Sequence, residues 1–231
     1  MRLAALYDVH GNLPALDAVL ADVEREKVDR IVFGGDVISG PWPAETLERV
    51  LELGDRALVV LGNADRDLEP WRRERLGDEG HAAVLAWPLT VTVDVEGLGR
   101  VLFCHATPRS DEEIVTRLTP EERLAEILDG VEADVVVHGH AHVRYDRRAA
   151  GFRIVNPGSV GLPYETRPGA YWAILGPHVE HRRSDYDIEG MIERARALGF
   201  PNLDELVEGS LVEPIGPDAA SEYFEQMARG A

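Results

Sequence analysis

Short hydrophobic runs alternate with amphipathic stretches through the first 65 residues of the chain. The uninterrupted runs are residues 3–7, 31–33 and 57–61. The stretch between the first two runs carries apolar residues at helical spacing, and a second helix is predicted to begin at Pro43 and end at Gly54. Runs this short, separated by helices, are typical of parallel strands covered on both faces. The pattern therefore predicts β-α-β-α-β for this region.

The middle of the chain carries a different pattern. Residues 89–95 alternate between apolar and polar side chains, and a glycine-rich turn separates them from an apolar segment at 100–104, which predicts a β-hairpin. Thr119 and Glu122 flank Pro120 in a capping-box pattern, so a helix is predicted to begin there with Thr119 as its cap. Three more apolar runs predict strands at residues 134–137, 152–155 and 170–175. This mixture of strands indicates an α/β fold of two packed mixed β-sheets flanked by helices.

From about Asp185 onward the pattern becomes helical and acidic, with three prolines as breaks. We therefore divide the chain into a domain at residues 1–184 and a helical C-terminal appendage at residues 185–231. Apolar residues of this appendage, such as Phe224 and Met227, would be exposed on an isolated helix. We expect the appendage either to fold over the functional site or to form a homo-oligomer through the C-terminal helices.

The charge and composition of the chain exclude several classes of function. The 231 residues include 42 acidic and 24 basic side chains, which gives a formal net charge of −18 and argues against binding to nucleic acid or to anionic membranes. A hydrophobic fraction of 45% excludes a disordered chain. The chain has one cysteine, no signal-peptide pattern and no apolar run of the roughly 20 residues that span a bilayer. We therefore expect a protein that lies in the cytoplasm and does not span a membrane.

Five of the predicted strands are each followed at once by polar residues whose side chains can bind metals. In chain order they are Asp8 and His10, then Asp36, Asn63 and His105, and finally His140 and His142. Taken singly, such residues beside glycine are typical of turns and helix caps. The carboxyl ends of strands in an α/β sheet are where ligands bind, so five such ends favour one shared binding rim.

With these blocks, and with the segment at residues 156–159, the chain resembles the calcineurin-like metallophosphoesterases over roughly residues 1–180. Within that family it is most similar to the small prokaryotic phosphodiesterases. The resemblance implies an α/β/β/α sandwich, which agrees with the two mixed sheets predicted above. It also implies a metal-dependent phosphoesterase with a small phosphate ester as its substrate.

The resemblance further implies a dinuclear ligand set. Asp8, His10, Asp36 and His142 would hold one metal, and Asp36, Asn63, His105 and His140 would hold the other, with Asp36 bridging. Imidazole, carboxylate and amide oxygen suit first-row divalent ions, so two such ions are expected, with manganese favoured over iron, nickel or zinc. A metal-bridging hydroxide would attack phosphorus in line, and Asn63, His105 and His140 are the expected catalytic residues.

One position departs from the family pattern. Many members carry a histidine where this chain has Ala64, which can neither stabilise the transition state nor protonate the leaving group. Asp65, His81 or a metal-bound water are the alternative proton donors. The small phosphodiesterases often lack that histidine too, which favours phosphodiester substrates. The alternatives are a phosphomonoesterase acting on proteins or nucleotides, and a non-catalytic metal-binding scaffold of the same fold.

Asn12 and Arg109 are the predicted substrate-binding residues. Asn12 lies beside the first ligand pair, although an asparagine before a Leu-Pro pair is equally typical of a helix cap. Arg109 follows the His105 block and Arg66 follows the Asn63 block, where either could clamp a phosphate. The alternative for each is an exposed arginine on a loop.

Overall fold

The computed structural model describes residues 1–201 and 203–230, with the side chains of Glu205, Leu206 and Glu208 outside this description. In this part of the chain the strands are β1 Leu3–Leu6, β2 Arg30–Phe33, β3 Ala57–Val59, β4 Thr90–Val95, β5 Gly99–Cys104, β6 Val135–Val137, β7 Tyr145–Ala149, β8 Phe152–Asn156, β9 Ala170–Leu175 and β10 Val179–Ser184. The α-helices are α1 Leu13–Glu26, α2 Pro43–Glu52, α3 Asn63–Arg66, α4 Pro70–Leu85, α5 Glu121–Ile127, α6 Ile188–Ala197, α7 Leu203–Leu206 and α8 Pro217–Gly230. A 3-10 turn at Gly54–Arg56 follows α2, and a π-helical turn at Val207–Leu211 follows α7.

The strands form two five-stranded mixed sheets. In the first sheet, ordered β10-β9-β1-β2-β3, β1 runs parallel to β2 and antiparallel to β9. In the second, ordered β4-β5-β6-β8-β7, the three central strands are parallel and both edge strands are antiparallel. The predicted pair of mixed sheets and the β-α-β-α-β start of the chain are therefore confirmed.

Strand β1 reads as a continuous apolar run because it is buried on both faces. Leu6 packs in the cluster that contains Leu16 of α1, whereas its neighbour Ala5 packs between the sheets in the cluster that contains Phe103 of β5. The other face of the second sheet packs against Leu124 of α5. The layers are thus helices, sheet, sheet and helix, and parallel strands in the middle of such a stack are expected to be apolar throughout.

The predicted capping box at the start of α5 is wrong. The helix begins at Glu121 after Pro120, and no side chain caps it. The hydroxyls of Thr119 and Thr116 instead both donate to one carboxylate oxygen of Glu225 in α8, each at 2.8 Å. Glu225 is buried, and a buried carboxylate requires hydrogen-bond partners, so the long-range contact replaces the local cap.

Helix α4 and strand β7 are among the elements for which the sequence pattern gave no prediction. In α4 the buried residues are Leu76 and Val84, too few for an apolar stripe, and the helix is kinked at Gly77, where φ is 75°. Strand β7 lies at the edge of its sheet and alternates charged side chains with half-buried ones, so it contains no apolar run.

The segment after β10 packs back onto the rest of the chain. Met191, Phe200 and Leu211 form a hydrophobic cluster with Trp42, which precedes α2. None of the helices in the described residues is long and apolar enough to cross a membrane. The division of the chain at residue 184 stays a prediction.

Candidate metal centre

The loops that follow β1, β2, β3, β5 and β6 bring the predicted ligands together. They form two groups of potential ligands, Asp8 with His10 and His142, and Asp36 with His105 and His140. Within each group, one ligand atom from every residue lies within 4.8 Å of the others. Asn63 joins the second group, since its Oδ1 lies 3.0 Å from His105 Nε2. The groups adjoin, because His10 Nε2 is 3.7 Å from Asp36 Oδ2.

Five of these seven residues hold the backbone in the left-handed region, which non-glycine residues seldom adopt. They are Asp8, His10, Asp36, His140 and His142, with φ between 48° and 65°. Glycines beside them allow close approach, and a Cβ on Gly139 would lie 2.5 Å from Asp8 Oδ2. Strained conformations of this kind cluster at functional sites, where the surrounding fold enforces them.

Backbone carbonyls fix the orientation of two of the imidazoles. His105 Nδ1 donates to Gly34 O at 3.0 Å, and His142 Nδ1 donates to Leu162 O at 2.8 Å. Their Nε2 atoms are thereby directed at the carboxylates, at 3.4 Å from Asp36 Oδ2 and 3.4 Å from Asp8 Oδ1 respectively. A carbonyl partner on Nδ1 is the usual arrangement behind a histidine that binds metal through Nε2.

Both carboxylates are buried and hydrogen-bonded to the backbone. The His140 N–H donates to both oxygens of Asp8, at 3.3 and 3.2 Å, and the Ala64 N–H donates to Asp36 Oδ1 at 2.8 Å. Burial raises the pKa of each carboxyl, but His142 beside Asp8 and His105 beside Asp36 outweigh it and hold both pKa values below the ordinary range. Both residues are therefore anionic at neutral pH.

Within each group, the surroundings raise the pKa of one histidine and lower that of the other. Burial acts to lower the pKa of His105, yet Asp36 outweighs this effect and raises it to about 10; Asp8 likewise raises the pKa of His142 against its burial. Burial lowers the pKa of His10 and of His140 to about 4. Each group thus holds a buried carboxylate beside its imidazoles, at a place where a cation is electrostatically favoured.

These features fit divalent metal ions. The donors are imidazole, carboxylate and amide oxygen, the set that first-row divalent ions prefer. His10 Nε2 and His142 Nε2 face each other at 3.1 Å, an arrangement that needs a proton or a cation between them. The described groups contain no thiolate, so soft monovalent metals are disfavoured.

The residues suggested as proton donors are engaged elsewhere. Asp65 is buried, and its two oxygens accept from Ile38 N at 2.9 Å and Gly62 N at 3.3 Å. Burial, with Asp36 nearby, raises the pKa of Asp65 to about 7. Its contacts tie the Asn63 turn to the loop after β2, which is a structural role. His81 Nε2 lies 3.3 Å from the carbonyl of Arg66.

The predicted substrate-binding residues already have protein partners. Asn12 is buried; its Oδ1 accepts from Ala15 N at 3.2 Å as the cap of α1, and its Nδ2 donates to Gly161 O and to the Tyr186 hydroxyl. Arg109 forms a bidentate pair with Glu113, at 2.9 and 2.6 Å. Their role in substrate binding stays a prediction.

Arg66 is held in the same way as Arg109. It forms ion pairs with Asp67, Asp111 and Glu112, at 3.0, 2.6 and 2.6 Å. Three carboxylates around one guanidinium leave it little capacity to clamp a phosphate, so the structure favours a structural role for this side chain.

The sequence motif at residues 156–159 indicated only part of a loop that lies beside the ligands. Ser159, at the end of the 156–159 motif, donates its hydroxyl to Asp8 O at 2.7 Å. Farther along, Leu162 O holds His142, and the Tyr164 ring stacks on the His142 imidazole with ring centroids 5.4 Å apart. No local pattern marks Leu162 or Tyr164, because their partners lie about 20 residues away.

Comparison with known proteins agrees with this geometry. The profile of the calcineurin-like phosphoesterase superfamily domain matches residues 1–176. Phosphodiesterase YfcE of Escherichia coli K12 is 26% identical over 182 residues, which cover 74% of this chain and 85% of that protein. The uncharacterized protein MJ0912 of Methanocaldococcus jannaschii is also 26% identical, over 227 residues that cover 83% of this chain and 90% of that protein.

Among solved structures, a metallophosphoesterase from Sphaerobacter thermophilus superimposes with a TM-score of 0.74 at 27% sequence identity. The match covers 90% of this chain and 97% of that one. The fold with two mixed sheets is therefore that of the metallophosphoesterases.

Proposed function

Because the chain belongs to the calcineurin-like phosphoesterase superfamily, we propose that it is a dinuclear metal-dependent phosphoesterase that favours phosphodiesters. The observation that carries the proposal is the pair of adjoining ligand groups, each with one carboxylate and two imidazoles. Two-metal sites of this kind serve displacement at phosphorus. The relative YfcE is named a phosphodiesterase, which supports the choice of diesters.

The metals would divide between the two groups. Asp8, His10, Asp36 and His142 would hold one ion, and Asp36, Asn63, His105 and His140 the other. Manganese is our first choice, with iron, nickel and zinc as alternatives that the same donors accept. When bound, such ions supply Lewis-acid stabilisation of the phosphoryl oxygens and acidify the attacking water.

The exposure of the ligands indicates how a substrate approaches. His10 and His140 are partly exposed, whereas Asp8, Asp36 and His105 are buried. The substrate therefore meets the centre from the side of these two imidazoles. With pKa values of about 4, both are neutral at pH 7 and keep a lone pair available for a cation.

The surroundings of Ala64 bear on the choice of leaving group. Its backbone N–H holds Asp36, but its methyl side chain cannot donate a proton. Neighbouring Asp65 is buried with both oxygens occupied. Neither of these two side chains therefore acts as a general acid, a role that typically contributes 10²–10⁴ in rate. We propose that the preferred substrates carry a leaving group that departs with little protonation, such as an aryloxide or a nucleotide phosphate.

The proposal is tested with paired chromogenic substrates. Chelator-stripped protein is assayed with bis(p-nitrophenyl) phosphate and with p-nitrophenyl phosphate, each with and without added Mn²⁺. Cleavage that depends on Mn²⁺ and favours the diester is the expected result. Restored cleavage of the monoester alone would keep the metal centre and overturn the substrate class. Metal binding without cleavage of either substrate would favour the scaffold alternative.

Three broader points belong to the same proposal. We propose that residues 1–184 form the catalytic unit and that the appendage also supports a homo-oligomer, since Tyr223 and Met227 of α8 are 57% and 46% exposed. The mass in solution, measured by light scattering, tests the homo-oligomer, and a mass of 25.5 kDa would contradict it.

We also propose a cytoplasmic location. This proposal rests on the one cysteine, which is free and buried.

A further inference from the structure

A loop at residues 159–165, here called the bridging loop, contacts the first ligand group on one side. Ser159 Oγ and Gly161 N both donate to Asp8 O, at 2.7 and 3.0 Å. Leu162 O accepts from His142 Nδ1 at 2.8 Å, and Tyr164 N donates to His142 O at 3.2 Å. The backbone of this loop therefore positions both Asp8 and His142.

On its other side the bridging loop contacts the C-terminal segment. The Leu162 side chain packs against the cluster formed by α6 and the residues after it. The Tyr164 ring lies between two others: it stacks on His142 at an interplanar angle of 18°, and the ring of Phe224 in α8 lies 5.8 Å from it at 45°. Burial raises the pKa of Tyr164, against a hydrogen bond with Ser210. Tyr164 thus fills the space between a predicted ligand and α8.

Helix α8 is held in place by polar contacts rather than by apolar packing alone. Glu225, next to Phe224, is 3% exposed and accepts the two threonine hydroxyls described above. Arg117 Nε donates to Ser221 Oγ at 2.9 Å, and Arg123 donates to Ala228 O at 3.2 Å. Buried and part-buried charge-assisted contacts of this kind fix the position of a helix more narrowly than apolar contact does.

We propose that Tyr164 is a positioning residue for His142, held in place by α8, so that the C-terminal segment sets the affinity of one metal position. The inference rests on the proposed dinuclear centre. A ring stacked on an imidazole restricts rotation about its side-chain torsions, so a correctly oriented Nε2 costs less entropy when the metal binds. Outer-shell partners of a ligating histidine typically contribute 10–100-fold to metal affinity.

The test measures the binding of Mn²⁺ to the full-length, chelator-stripped protein by calorimetric titration and by electron paramagnetic resonance. Tyr164→Leu removes the ring, Tyr164→Phe keeps the ring and removes the hydroxyl, and Phe224→Ala removes the support in α8. Met227→Ala, which truncates an exposed side chain of the same helix, is the matched control. His142→Ala shows how Mn²⁺ binding changes when the first metal position loses a ligand.

We expect wild type to bind two ions, and Tyr164→Leu and Phe224→Ala to weaken one of them by about 10–100-fold while the other is unchanged. Tyr164→Phe and Met227→Ala should resemble wild type. Unchanged affinity in both truncated variants, or equal weakening of both positions, would overturn the inference and leave the proposed function standing. Wild type that binds no Mn²⁺ would overturn both. Phe224→Ala keeps the test decisive if Tyr164→Leu does not fold.

Discussion

The first ligand group, Asp8 with His10 and His142, and the second, Asp36 with His105 and His140, have the same composition but different supports. The second group takes its hydrogen bonds from the turns after β2 and β3, through Gly34 O and Ala64 N. The first takes hydrogen bonds from the His140 N–H and from the bridging loop, which in turn contacts the C-terminal segment. The groups that hydrogen-bond the second group, Gly34 O and Ala64 N, therefore lie within the first 65 residues, whereas the first group depends in part on residues after 158.

This difference separates two ways of building a site. The turns of the second group follow parallel strands packed between layers, so their positions are fixed by the sheet. The bridging loop lies outside the sheets and is ordered by contacts on both its sides. We expect changes in the C-terminal segment to affect the first group alone, whereas changes at Asp36 affect both.

The largest effect is expected for Asp36→Asn. Asp36 contacts His105 of its own group and His10 of the other, at 3.4 and 3.7 Å, so loss of its charge should release both metals. Hydrolysis should fall by about 10³-fold or more, corresponding to several kcal/mol of metal-ion stabilisation. Metal analysis and circular dichroism check this. A folded variant that retains two ions would refute a shared role for Asp36.

Variants of single histidines distinguish the two metal positions. His140→Ala should empty the second position and leave the first filled, and His142→Ala should do the reverse. Activity should fall by more than about 100-fold in each, since outer-shell changes alone reach that size. Metal-to-protein ratios of one in both variants are expected. A ratio of two in either variant contradicts the assignment of that residue.

The metal-free protein should lose stability as the pH falls from about 6.5 to about 4. His10 and His140 have folded pKa values of about 4, below the ordinary value of 6.5. The unfolded chain therefore binds more protons in this window, and protonation favours unfolding. The folded pKa of His105 is raised to about 10, so its contribution is present below pH 6.5 and is lost as the pH rises through 10.

Thermal unfolding of chelator-stripped protein between pH 4 and pH 7 measures this dependence. His140→Gln removes one of the two groups and should flatten the curve, and His10→Gln should flatten it to a similar degree because the two pKa values are alike. The raised pKa of Asp65, about 7, acts in the opposite direction over this range, so the comparison with wild type is decisive: variants whose melting temperatures depend on pH as in wild type would show that these imidazoles are not held neutral.

A smaller effect is expected for Ser159→Ala. The hydroxyl donates to Asp8 O and accepts from Leu162 N, so the change removes one of the two hydrogen bonds to Asp8 O and leaves the part-buried Leu162 N–H without its partner. The loss should be about 1–3 kcal/mol of unfolding free energy, or several degrees in Tm. Thr92→Ala, at an exposed hydroxyl in β4, is the control and should change Tm little. A loss equal to that of the control would remove Ser159 from the support of the first group.

The sequence was most informative where function depends on local order along the chain. Every predicted ligand lies in the segment just after a strand, so the apolar runs and the polar residues after them indicated both the sheets and the rim. The two-sheet stack was predictable for the same reason, since β1 and β3 and all but the first residue of β2 are apolar, and β4 alternates before the apolar run of β5.

The sequence was least informative where the partner is distant. Thr119 carries a sound local capping pattern, yet its hydroxyl bonds to Glu225, 106 residues away. The stack of Tyr164 on His142 likewise depends on which side chains the fold brings near. Local propensity cannot weigh such contacts, because the competing partner is absent from the local sequence.

The central claim is that two metal positions lie side by side in this centre. Titration of chelator-stripped protein with Mn²⁺, monitored by electron paramagnetic resonance, tests it most directly. Two ions roughly 3.5–4 Å apart interact magnetically, so the account predicts two bound ions per chain with a spin-coupled spectrum. Fewer than two ions, or two whose spectra are those of isolated Mn²⁺, would contradict it.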